Sequence, residues 1–433
     1  MFENIRFRTI WSLTAPLIIA QSVILVNGIV DLVIIGPIGT GAVAAASISN
    51  AICAVLFNFL EGFRTGTTVL VSGSADDESR IRDVVRTAFV LCAVTGAVIA
   101  TVSPFIADAV FAPHAAGEDR LRANEYLLIW LCSVPVVLLM NVVTGLFRGL
   151  GNTVIPAIVS VGVCVLNAGI SYLLVWGGFG VRGMGMTGSA WGTLIAETIG
   201  LAALLLIALR SKNVSRYIGL AGKQLHVREF VSLAVNVGCN SGFTLAAFLI
   251  FVFMLRNLGD KALAVHQITL QVFNVAYMPA MGFLVAATII IPRYSAAGRS
   301  DMVVKAARKI SVMCFATIAV FCAAILIFAR MIGSILSPAD AAVAESAVHT
   351  IRLVCIGELF SSVYMVMRGV LIGCGDSRFI LYEGLVSGYV IFLPLAYLLA
   401  DIAGLGVYGG YCAFIAWCAV DCVALLARFK RKK

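Results

Sequence analysis

Charge is scarce in this chain, and catalytic signatures are scarcer. Asp, Glu, Lys and Arg make up only 12% of the 433 residues, against 61% hydrophobic, a balance that no soluble domain of this length needs for its core. HExxH, GxSxG and the Gly-rich phosphate loop are absent, and the four histidines, His114, His226, His266 and His349, are scattered. Zinc hydrolysis, serine hydrolysis and ATP-driven work therefore have no signature here, and the chain is not expected to be an enzyme. Twelve cysteines occur without one CxxC. Most sit inside apolar runs and read as small buried thiols, with no disulfide framework, no metal site and no cofactor implied. Acid is the rarer sign, 22 residues against 31 basic ones, for a net charge of +9. No solvated basic segment exists to hold nucleic acid, so the excess reads as topology signals and contacts for anionic lipid headgroups.

What the chain has is apolar length, with a mean hydropathy of +1.02. Runs of about 20 apolar residues fall near 11–36, 42–72, 85–110, 124–147, 153–176, 185–209, 229–255, 262–291, 307–335, 346–372, 378–400 and 404–427. An all-α polytopic membrane protein with twelve transmembrane helices follows. Arg6 and Arg8 before an apolar run imitate a signal peptide, but that run is longer than a signal core and already holds an acid. Most Lys and Arg fall in the tails and even-numbered loops, among them Arg80, Arg148, Arg216, Lys223, Arg293, Lys309, Arg378 and Lys433. Both termini are then expected on the cytoplasmic side of the plasma membrane.

The longest connection, 210–228, divides the helices six and six, giving lobes 1–209 and 229–433 with a cytoplasmic linker between. Those halves are alike. IGTGAVAAASI (Ile38 to Ile48) aligns with LGDKALAVHQI (Leu258 to Ile268). GLFRGLGNT from Gly145 aligns with GVLIGCGDS from Gly369, and GMTGSAW from Gly185 with GVYGGYC from Gly406. The three anchors keep one order and nearly one offset. Six helices per copy is even, so the repeat is parallel, about an axis along the membrane normal. Two such six-helix bundles facing across a cleft suit alternating access.

Polar residues inside the spans mark where the halves differ. Asp31 sits near the end of the first span, and at the offset of the first anchor its counterpart is Phe251. An intramembrane carboxylate costs about 2.5–3.5 kcal/mol on insertion scales, so Asp31 is a functional candidate unless it simply reaches interfacial water. Asn27, Asn141, Asn167, Ser171 and Thr193 lie in the same half. A carboxylate among amide and hydroxyl oxygens binds a proton or gives Na⁺ an oxygen cage; taken singly, each Asn also serves plain helix–helix hydrogen bonding. Glu61 and Arg64, one helical turn apart, read as a structural ion pair. Asn236, Asn240 and Thr244 line one face of the seventh span, and His266, Gln267, Gln271 and Asn274 crowd the eighth. Glu358, Glu383 and Asp421 either line a cleft for a cationic substrate or pair internally with a residue such as Arg368. Tyr277, Met278 and Met281, with Phe273, suit a deformable ligand surface or ordinary helix packing.

Together the WSLTAP opening from Trp11 to Pro16, the segment VNGIVDLVIIGPIG around Asp31, the FRGLGNT and LIGCGDS pair, and LNAGISYLLVWG from Leu166 to Gly177 resemble the multidrug and toxic compound extrusion (MATE) transporters of the MOP flippase superfamily. The FRTGTT run from Phe63 to Thr68 is similar to their DinF-like branch. The resemblance implies a small-molecule antiporter in the lipid bilayer, expected as a monomer, that exports cationic amphipathic compounds in exchange for H⁺ or Na⁺. It implies Asp31 as the coupling acid, with Asn167 and Asn141 beside it and Pro16 allowing the helix to bend. The chain departs from that branch at Ser171, where a second acid is expected, and from the other bacterial branch at Thr244 and Ser361. One carboxylate in place of several leaves the ion and its stoichiometry open. A lipid-linked saccharide flippase of the same superfamily would want an Arg-rich cleft, and Arg64 is the one clear intramembrane arginine of the first half. An intramembrane enzyme would want a triad or metal set, and a channel would not need the repeat.

Overall fold

In a computed structural model the described residues are 6–111, 117–218, 224–338 and 340–432, so His114, Lys223 and Lys433 lie outside them. Among the described residues twelve helices are long and apolar enough to cross a membrane. They are α1 Phe7–Ile35, α2 Thr40–Gly73, α3 Glu78–Phe111, α4 Gly117–Gly149, α5 Val154–Trp176, α6 Met186–Arg210, α7 Val227–Arg256, α8 Asp260–Ala296, α9 Ser300–Leu336 and α10 Ala341–Gly373. An eleventh span, Ser377–Ile402, and a twelfth, Gly406–Arg431, complete the set. The apolar runs locate every helix, and several helices outrun them. α3 starts on Glu78, capped by Asp77, whose carboxylate accepts from the backbone of Ser79 and Arg80 at 3.0 Å. That capped, charged first turn carries α3 beyond its apolar run, and α9 likewise starts ahead of its run, at Ser300, though without a side-chain cap.

The internal repeat is built into the turns. Gly151 (φ 90°) and Gly375 (φ 78°) each end a helix in the left-handed region. Behind them the Asn152 amide donates to the Phe147 carbonyl, and that of Asp376 to Leu371, both at 2.9 Å. The same helix-ending turn thus appears once in each half, and glycine is required in both. The close helix contacts repeat as well. A Cβ on Gly145 would lie 2.7 Å from the Arg64 carbonyl, and one on Gly369 would lie 2.5 Å from that of Leu284. α2 with α4, and α8 with α10, are therefore backbone-to-backbone contacts that only glycine permits.

By internal contacts the chain forms two compact units, residues 19–238 and residues 1–18 with 239–433. The division falls within α1 after Ile18 and within α7 after Gly238, equivalent places in the repeat. In the unit that holds residues 1–18, Trp11 packs on Phe283 with ring centroids 6.2 Å apart, and Gly282 leaves room for Thr14 and Ile18. In the other unit the counterpart contacts are Phe63 on Phe230, 5.8 Å, and Gly62 under the Ala234 carbonyl, where a Cβ would clash at 1.9 Å.

The connection after α6 is docked where it is described. Tyr217 and Val214 are buried, Arg216 pairs with Glu78, and the backbone amides of Gln224 and His226 donate to Asp83 and Thr87 at 3.2 and 3.0 Å. Glu61 and Arg64 form the expected ion pair. α1 runs through Pro16 as one helix. The eleventh span widens to π-helix at Val386–Phe392 and Leu398–Ile402, on either side of Pro394, whose ring removes a ladder hydrogen bond.

Candidate functional site

Within residues 19–238 the polar side chains meet where α1, α5 and α6 pack. The approach is set by Gly188 and Gly192, one turn apart on α6. A Cβ on Gly188 would lie 2.5 Å from the Leu174 carbonyl, and one on Gly192 would lie 2.2 Å from the Ser171 hydroxyl. Small residues at this spacing let two membrane helices touch.

Asp31, 6% exposed, projects into that contact. The Ser189 hydroxyl donates to its Oδ1 at 3.5 Å. The Ser189 carbonyl in turn accepts from Thr193 at 3.1 Å and from Ser171 at 3.4 Å, while the Asn167 amide donates to the Thr193 hydroxyl at 2.8 Å. Donors are thus spent on α6, and acceptors are left over: Oδ1 of Asn167, Oδ1 of Asn27 and Oε2 of Glu197 are buried and accept no hydrogen bond. Glu197 and Tyr126 lie within electrostatic range of Asp31, and Tyr126 donates to Asn50 at 3.3 Å. A buried carboxylate on helices that also carry buried, unpartnered oxygens has the acceptor chemistry to hold a small cation.

Of the residues expected around Asp31, Asn167, Ser171 and Thr193 join one hydrogen-bond network, and Asn27 stands one turn away on α1. Asn141, on α4, is half-buried and makes no hydrogen bond to this group. Ser189, Glu197, Tyr126 and Asn50 were not anticipated. Ser189, Thr193 and Glu197 recur once per turn on α6, so one face of that helix carried the signal.

The counterpart positions in the other unit hold a different chemistry. Phe251 is buried, T-shaped on His266 at 5.6 Å and on Tyr411 at 6.2 Å. Ser189 has Gly410 as its counterpart, by the alignment of Gly185 with Gly406, and a Cβ there would lie 2.7 Å from the Phe251 ring. Where one copy places a hydroxyl on an acid, the other removes a side chain to admit a ring. Phe273 stacks on Tyr277 at 5.2 Å, and the Tyr277 hydroxyl reaches the Met365 sulfur at 3.6 Å. Phe248, Phe251, His266, Leu270, Phe273, Tyr411 and Phe414 enclose only about 10 Å³, room for one water and too little for an organic substrate. Met278 and Met281 are half-buried on α8, Gln271 is exposed, and the Thr244 hydroxyl is turned back onto the Asn240 carbonyl at 2.8 Å. Glu358 is completely buried in α10, and neither carboxyl oxygen accepts a hydrogen bond.

The MatE family model matches this chain twice, over residues 16–173 and 241–398. A probable multidrug resistance protein NorM of Thermotoga maritima is 24% identical over 397 residues, covering 90% of this chain and 84% of that protein. One of Bradyrhizobium diazoefficiens is 26% identical over 437 residues, covering 96% and 92%. Among solved structures, a MATE transporter in a bent conformation superposes with a TM-score of 0.87 at 19% identity, covering 98% of this chain and 95% of that one. An outward-facing multidrug resistance MATE transporter of the MOP superfamily gives 0.86 at the same identity, covering 98% and 95%. At that identity the superpositions speak for the fold.

Proposed function

The chain belongs to the MatE family and is a multi-pass efflux transporter; from that premise we propose that Asp31 holds the ion, H⁺ or Na⁺, whose exchange drives export of organic cations by alternating access. The observation that carries this reading is the burial of Asp31, with a single hydroxyl bonded to it, on helices whose other buried acceptors include several that lack donors. A bound cation supplies what those oxygens lack, and its departure leaves a charge that hydrocarbon penalises. Loading and unloading therefore bear on how α1, α5 and α6 pack.

Asp31 and Glu197 bring two carboxylates to one contact, and the NorM relatives carry the description of multidrug resistance proteins. An amphipathic organic cation fits both. Pro16, about four turns before Asp31, leaves the Ser12 carbonyl without its helical donor and offers α1 a place to bend. The basic residues at the tails and even-numbered loops put both termini in the cytoplasm, and the six-plus-six lobes joined at 210–228 act as a monomer.

The test is proton release from the purified protein in weakly buffered detergent on adding tetraphenylphosphonium, with and without Na⁺. Release that disappears in Asp31→Asn assigns the exchanged proton to Asp31. Release suppressed by Na⁺ in the wild type assigns both ions to one site. Equal release from both proteins removes Asp31 from the coupling.

A further inference from the structure

Residues 239–433 contain a second group of buried carboxyls, which the Asp31 site does not use. Glu383 of the eleventh span is 8% exposed and Asp421 of the twelfth is 2% exposed. The two lie within hydrogen-bond range of each other. Both oxygens of Glu383 and Oδ1 of Asp421 are buried and accept no hydrogen bond from any donor among the described residues.

The surroundings sharpen that deficit. Gly384 makes room for Asn240, since a Cβ there would lie 2.1 Å from the amide nitrogen. That nitrogen donates to the Ile380 carbonyl at 2.8 Å, and Oδ1 of Asn240 accepts nothing. Trp417 Nε1 donates to the Ser387 hydroxyl at 3.0 Å, and that hydroxyl bonds to Asp421. Arg368 of α10 is within electrostatic range of both carboxyls, and it also donates to Ser241 at 3.2 Å. Tyr364 of α10, with Cys418 and Cys422 of the twelfth span, are the other titratable groups that face them.

With both carboxyls ionised, two negative charges face each other beside one guanidinium, and no hydrogen stands between them. One proton corrects both faults: it makes the missing hydrogen bond and brings the pair plus Arg368 to neutrality. The π-helical stretch begins at Val386, within a turn of Glu383, and such widened turns are frequent where a helix serves a site.

We propose that Glu383 and Asp421 share one exchangeable proton and form a second ion site of the transporter, separate from Asp31. Arg368 holds the net charge of that site within one unit whichever way the proton moves. The proposal stands whether or not Asp31 carries the coupling ion.

The test is infrared difference spectroscopy of the purified full-length protein on stepping the pH, in H₂O and ²H₂O. The expected result is a carboxylic-acid C=O band that shifts in ²H₂O, persists in Asp31→Asn, and is lost in both Glu383→Gln and Asp421→Asn. Each of these amides supplies the missing donor to the remaining carboxylate, so the fold is kept while the proton is not needed. Survival in both Glu383→Gln and Asp421→Asn of the band that persists in Asp31→Asn overturns the proposal. So does the lack of any exchangeable band in the wild type other than one removed by Asp31→Asn, a result that needs neither variant to fold.

Discussion

Asp31 and Phe251 occupy one position of a repeated bundle, and their partners follow suit: Ser189 offers the acid a hydroxyl, and Gly410 offers the ring a space. Two substitutions separate these roles. Gly410→Ser inserts atoms 2.7 Å from a buried ring, and overpacking of this kind costs about 1–3 kcal/mol, read as a lower midpoint in thermal unfolding. Ser189→Ala should leave the midpoint within about 1 kcal/mol, because the hydrogen bond it loses is long, yet slow export by removing the hydroxyl on Asp31. At the start of the eleventh span, Asp376 gives a pH-dependent counterpart. Burial alone would push its carboxyl up, but the Arg428 hydrogen bond at 2.8 Å and the Lys432 charge outweigh that and hold it below the usual carboxylate range. A depressed folded value means the contact contributes fully above about pH 4. It is lost as pH falls through the folded value, so protection from hydrogen exchange in the last turn of the twelfth span, relative to the intrinsic rate, should fall in acid. Asp376→Asn should show that lower protection already at neutral pH and change little below.

The helices show which parts of the chain could be read in advance. Apolar runs located all twelve spans, because hydrocarbon tolerates little else, and the GLGN and GCGD anchors marked the repeat without showing that their second glycines are left-handed. The Asp31 group was half legible. Asn167, Ser171 and Thr193 were expected there, whereas Ser189 and Glu197 gain meaning only once Gly188 and Gly192 bring α5 onto α6. Asn141 shares a polar type with its neighbours and not a place, since α4 keeps it out of their network. No spacing rule joins Glu383 to Asp421, which stand on different helices, and the π-helical widening around Pro394 has no periodic signature. Glycines test the helix contacts directly. Gly62→Ala should cost about 1–3 kcal/mol against the Ala234 carbonyl. Gly162→Ala, with nothing within 4 Å on α5, should stabilise by about 0.5–1 kcal/mol. Thermal unfolding of both in detergent makes the comparison.

At the scale of the molecule the number of protons decides what drives export. One proton exchanged for one monovalent cation moves no net charge, and the membrane potential adds nothing. With a second proton at Glu383 and Asp421, one charge crosses per cycle, and each 100 mV contributes about 2.3 kcal/mol. Vesicles with a potential and no pH difference should therefore support transport by the wild type and not by Glu383→Gln, while a pH difference alone drives both. The division of α1 after Ile18 bears on a different matter, the order of synthesis. Residues 7–18 leave the ribosome well before their partners, since Phe283, which receives Trp11, and Lys309, which stacks over Phe7, arrive only after most of eight helices have been made. The opening turns of the first helix must wait in the bilayer for most of translation, so a chain stopped at the central linker holds an unmatched end that only the missing half can cover.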